Sequence, residues 1–141
     1  MRIHLEDDTG GALDNVPGDG ADLVAFMSFA VVRGFGAQHP YVTLSERLAA
    51  NGVKIGPLTT FYEHEPEDAE DRAKLELAWQ DASDLATAVR AMTALLKSDE
   101  QCQALLVRAD GDQLPAQAEA LLPFLDAAHE KGAKVRLTYD L

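Results

Sequence analysis

The chain has 141 residues, enough for one domain with a real core, and its 24 Asp plus Glu against 12 Lys plus Arg give a formal net charge of −12. That field repels nucleic-acid phosphates and anionic membranes, so neither is expected as a partner; it suits a basic protein, cations or plain solubility. The lone cysteine, Cys102, excludes an internal disulfide framework, and with no signal-like start and no bilayer-length apolar run the expectation is a soluble, cytoplasmic protein.

Met1, Ile3 and Leu5 alternate with Arg2, His4 and Glu6, which predicts a first strand ending at Glu6-Asp7-Asp8. Residues 9–20, rich in Gly, Asp, Asn and Pro, read as a long loop. Residues 23–32 are apolar on every side, a pattern open to a buried helix or a central strand. The helix is favoured, over residues 21–33, because Asp22 suits its first turn and Gly34 its end. Gly34-Phe35-Gly36 breaks it, and Thr43 with Glu46 forms a capping box for a short helix closed by Asn51-Gly52.

Residues 53–63 are extended by composition, with a bend at Gly56-Pro57. Residues 67–97 contain no Gly or Pro and fit one long helix through Leu75, Ala78, Trp79, Ala82 and Leu85. Leu75, Leu77 and Trp79 also alternate as in a strand, and residues 81–84 look like a second helix start. Strand 72–80 followed by helix 83–97 is therefore the preferred reading, with an acidic hairpin tip at 65–71.

Ala104-Leu105-Leu106-Val107 reads as a strand covered on both faces, ended by the turn Asp110-Gly111-Asp112. Leu114, Ala118, Leu121, Leu122, Leu125 and Ala128 make the stripe of an amphipathic helix, kinked at Pro123 and stopped at Gly132. Residues 134–141 alternate again and form a last strand. Strand, helix and strand make a right-handed βαβ unit. The expected fold is a single α/β domain over residues 1–141, with about five strands, that C-terminal βαβ unit, and helices on both sides of the sheet. Residues 23–32, or a second subunit, would cover the second face.

Ligands gather at the C-terminal ends of parallel strands, which makes Asp7, Asp8, Asp110 and Asp112 candidate oxygen ligands for Mg²⁺ or Ca²⁺. The plainer alternative is that each aspartate serves a turn or a cap. The histidines, His4, His39, His64 and His129, show no metal-binding spacing. No nucleophile elbow or phosphate loop is present. The run Ile3-His4-Leu5-Glu6-Asp7-Asp8 faintly resembles the first strand and acid pair of response-regulator receiver domains, but the long loop after it does not fit, and no family is assigned.

Glu63, Glu65, Glu67, Asp68, Glu70 and Asp71 crowd together with no basic residue before Arg72, at a cost in self-repulsion that points to use. The expectation is a non-enzymatic interaction or regulatory module that binds a basic protein through these residues. The alternative is a divalent-metal-assisted enzyme or sensor using the strand-end carboxylates. Self-association through residues 23–32 is compatible with either. The sequence names no cofactor and no reaction.

Overall fold

The computed structural model describes residues 1–31 and 38–141. Its sheet is assembled on the last strand, β4 (Lys134–Asp140), whose alternation buries Val135 and Leu137 completely. Along one edge of β4 runs β1 (Arg2–Asp7), antiparallel, with Arg2 opposite Asp140 and Asp7 opposite Val135. Two short strands share the other edge. Of these, β2 (Phe61–Glu63) is parallel to β4, with Phe61 opposite Leu137, and β3 (Gln80–Asp81) is antiparallel, with Gln80 opposite Val135. Among the described residues the result is a mixed sheet of four strands rather than five.

Both terminal strands lie where the alternation predicts. The strand expected at Ala104–Val107 does not form. Those residues belong to the helix α5 (Glu100–Arg108), and the C-terminal βαβ unit is absent with it. The cause is local. Asp99 accepts a hydrogen bond from the Cys102 amide at 3.0 Å, capping the helix. Cys102, Leu105 and Leu106 then fall at helical spacing and are buried, while Val107 is 80% exposed. A four-residue apolar run is too short to separate these outcomes by pattern.

The long segment 67–97 divides differently from expectation. In place of strand 72–80 stands α3 (Ala69–Glu76), capped by Asp68, which accepts from the Glu70 amide at 2.7 Å. No residue of α3 is buried, and Leu77 beyond it is 85% exposed, so the alternation at Leu75 and Leu77 has no core to face. The cap, the early acids Glu70 and Asp71 and the late Lys74 favour the helix. The expected acidic hairpin is therefore a turn into α3, and β2 pairs with β4 instead. The second helix start is where the sequence puts it. Asp81 accepts from the amides of Ser83 and Asp84 and opens α4 (Ala82–Ser98).

The helix expected over 114–128 is broken into α6 (Leu114–Glu119) and α7 (Leu122–Glu130). Pro123 falls in the first turn of α7, where its missing N–H costs little, so the expected kink becomes a fresh start. Leu114, Ala118, Leu121, Leu125 and Ala128 are all buried, as the stripe requires. Earlier in the chain, α1 (Ala21–Ala30) buries Leu23, Val24, Phe26 and Met27. Its expected end at residues 33–36 lies outside the described residues. The capping box at Thr43 is not the helix start: α2 (Pro40–Ala50) begins at Pro40, and His39 Nδ1 accepts from the Tyr41 amide at 3.1 Å.

The core is one cluster that joins Ile3, Leu5, Val135 and Leu137 of the sheet to the helices. The apolar residues of α1 lie in it, covered by this chain itself. α3 lies toward the other face, where Arg136 Nη1 donates to the carbonyl of Leu75 at 3.2 Å. Among the described residues, no helix is long and apolar enough to cross a membrane.

The end of β1 is locked by Asp7, which is 4% exposed. Its Oδ1 accepts from Thr9 N, Thr9 Oγ1 and Gly11 N at 2.8, 2.6 and 2.9 Å, and its Oδ2 pairs with Lys131 Nζ at 2.8 Å. A Cβ on Gly11 would stand 2.5 Å from Oδ2, so only glycine lets the loop close this tightly. The Lys131 ammonium, then the Thr9 hydroxyl, hold the Asp7 carboxyl well below the usual carboxylate range despite its burial. A depressed carboxylate stabilises the fold above its unfolded pKa of about 4 and loses that contribution as pH falls below it. Asp7→Asn is expected to cost about 1–3 kcal/mol at neutral pH and to flatten the acid limb of stability, read by urea titration at several pH values. Leu137→Ala, which hollows the centre of the sheet, is expected to cost about 2–5 kcal/mol in the same assay.

Candidate interaction surface

Because β2 runs parallel to β4, the two strands end together, with Glu63 opposite Tyr139. The His64 amide donates to the Tyr139 carbonyl at 2.9 Å and carries the ladder one step further. The chain then turns through buried Pro66 into α3, laying residues 63–71 along this end of the sheet. The turn is held by Arg72, which donates to the carbonyls of Pro66 and Glu67 at 3.0 and 2.9 Å.

Glu63, Glu65, Glu67, Asp68, Glu70 and Asp71 are all exposed. Asp68 caps α3, and Asp71 lies 4.0 Å from Lys74, a distance at which an exposed pair contributes little. Other cations are engaged elsewhere: Arg47 with Asp99, Arg90 with Asp126, Lys131 with Asp7 and Arg136 with Glu6. The acidic stretch read from the sequence is thus a rim of exposed carboxylates, with the Arg72 side chain held against its backbone.

Beside this rim lies a polar face of the sheet that the sequence does not disclose. His4 of β1 and His64 stack with ring centres 3.8 Å apart and planes 13° from parallel. His4 Nε2 is 2.6 Å from Asp140 Oδ2, and His64 Nδ1 is 2.8 Å from the hydroxyl of the buried Thr138. One turn of the pleat away, Arg136 Nε donates to Glu6 at 2.5 Å and its guanidinium lies 4.3 Å over the Trp79 ring. His4, Glu6, Arg136, Thr138 and Asp140 all occupy the polar phase of the alternation. Their phase was legible, but not their partners.

Two small cavities open at the β2 edge. One, of about 290 Å³, is lined by Phe61, Tyr62, Glu63, Asp71 and Tyr139; the other, of about 200 Å³, by Glu63, Glu65, Tyr139, Asp140 and Leu141. Burial, then the charges of Glu63 and Asp71, push the Tyr139 phenol up, which marks this corner as electronegative. A larger groove of about 480 Å³ between α2 and α5 holds Arg47, Ala50, Ala104, Leu105 and Arg108, and none of the residues nominated from the sequence.

Two of the four candidate metal ligands are engaged by this chain's own donors. Asp7 is saturated by the donors described above. Asp8 Oδ1 accepts from the Lys134 amide at 3.1 Å. Asp110 takes a left-handed backbone, φ 55°, in the turn that leaves α5. Asp110 and Asp112 are near Asp22 and Tyr41, raising both groups' pKa after the larger effect of burial. Among the described residues, no three His, Cys, Asp or Glu side chains converge as a metal-holding group. Gly111 is required there by close approach, since a Cβ would meet the Tyr41 hydroxyl at 2.0 Å.

Cys102, fully buried, has its thiol pushed up to about 11 by burial and by the neighbouring Asp99. It is expected to resist thiol reagents at pH 8 in the folded protein and to react once urea unfolds it, which stopped-flow labelling would read. Comparisons with protein-family models, with curated proteins and with solved structures found no match.

Proposed function

We propose that this protein is a non-enzymatic interaction module that docks a basic protein on the carboxylate rim formed by Glu63, Glu65, Glu67, Asp68, Glu70 and Asp71. The observation that carries this reading is the state of α3. It buries none of its residues, yet its lead-in is fixed by Arg72 and its start by Asp68. A segment with no part in the core that keeps like charges together, at a cost in self-repulsion, fits a surface under use. Such a rim steers an oppositely charged partner and sets its orientation. A reducing cytoplasm suits the free, buried Cys102. The metal-dependent alternative draws no comparable observation from the described residues.

A cationic nonapeptide serves as the probe, its affinity read by fluorescence anisotropy across about 50 to 300 mM salt, where the screening length shortens from above 10 Å to well below it. The triple change Glu65→Gln, Glu67→Gln, Glu70→Gln is expected to weaken binding about tenfold and to flatten its salt dependence. Glu46→Gln, Glu100→Gln, Glu130→Gln removes the same charge from exposed positions elsewhere and is expected to have a much smaller effect. Equal losses in the two variants, or binding indifferent to salt, would overturn the reading.

A further inference from the structure

The cavity at the β2 edge has walls of two kinds that an acidic rim alone would not need. Phe61 and Tyr139, on one side of the pleat, supply aromatic rings, Glu63 from β2 and Asp71 from α3 supply carboxylates, and Tyr62, opposite Thr138, belongs to the other side of the strand. Phe61 and Tyr139 meet edge to face, with centres 5.6 Å apart and planes 64° from parallel, so the two rings brace one another. Ring faces carry a negative quadrupole and attract cations, most strongly where water is partly excluded. The two acids act in the same direction. An anion is repelled by every wall, and a wholly apolar group would strip water from the two carboxylates without pairing them.

We propose that this notch seats one arginine side chain of the basic partner, its guanidinium stacked against the aromatic walls and paired with Glu63 and Asp71. The proposal rests on the docking reading above and sharpens it, from a diffuse charge match to one anchoring residue. Arginine suits the notch better than lysine, because its planar group stacks on rings and forks onto carboxylates, whereas an ammonium is a compact, strongly hydrated point charge. The chain builds the same trio once within itself: Arg136 lies 4.3 Å over Trp79 while Nε donates to Glu6 at 2.5 Å. The cavity of about 290 Å³ has room for a single long side chain. The adjoining one, which shares Glu63 and Tyr139 and adds Glu65 and Asp140, offers the next partner residue a second acidic seat.

The test compares an arginine nonapeptide with a lysine nonapeptide of equal charge. Phe61→Leu removes a partly buried ring without changing charge, and its melting temperature reports whether the fold is kept. It is expected to weaken the arginine peptide about three- to tenfold, leave its salt slope unchanged, and leave the lysine peptide nearly unaffected. Phe61→Tyr, which keeps the ring, should bind as the unaltered protein does. If Phe61→Leu does not fold, Glu63→Gln at the exposed strand end gives the same comparison, and should weaken the arginine peptide more than Glu67→Gln does. An arginine peptide indifferent to these changes, or both peptides weakened alike, would overturn the notch. If the rim triple variant loses affinity while Phe61→Leu does not, docking stands and the anchor fails. If the unaltered protein binds neither peptide with salt dependence, both fail together.

Discussion

Everything in this fold is arranged around a strand that is hydrogen-bonded along both edges. β4 is the last element of the chain, and its pairing residues come from the first strand, from the middle and from the entry to α4. With Val135 and Leu137 fully buried, its backbone groups have no water to return to, so each edge must find a partner. That demand closes the chain on itself: His4 meets Asp140 across 136 residues, and Asp7 meets Lys131.

The same constraint produces the surface. A strand parallel to β4 must end where β4 ends, so the acidic segment after β2 is delivered to the C-terminal corner beside Tyr139 and Asp140. Pairing with β4 sets Phe61 against Tyr139 and brings Glu63 and Asp71 to one notch. Sheet pairing, rather than the acidic run alone, gives the corner its chemical character.

Charge is distributed by a similar logic. The cations near the sheet are drawn into pairs that hold elements together, Lys131 on the β1 turn and Arg136 between Glu6, Trp79 and α3. These pairs tie distant segments of the chain together. The carboxylates at 63–71 keep an exposed field: Arg72 donates to the carbonyls of Pro66 and Glu67, and the ion pair of Asp71 with Lys74 is long and solvated.

What the sequence determined by itself is whatever a short window can hold. The alternation of β1 and β4, the helix start at Asp81, the stripe through Leu114 to Ala128 and the acidic crowd at 63–71 are repeats or neighbours, and their physics is local. What only the tertiary structure decided is which face each window found and what stood opposite. Ala104–Val107 became helix because Asp99 capped it and the core received Leu105 and Leu106 while releasing Val107. Residues 72–76 became helix because no second hydrophobic face awaited Leu75 and Leu77. The stacked histidines, the Asp7–Lys131 pair and the aromatic notch each join residues whose separation in the chain exceeds any sequence period. They exist because burial fixed one register for β4, and register is a property of the partner as much as of the strand.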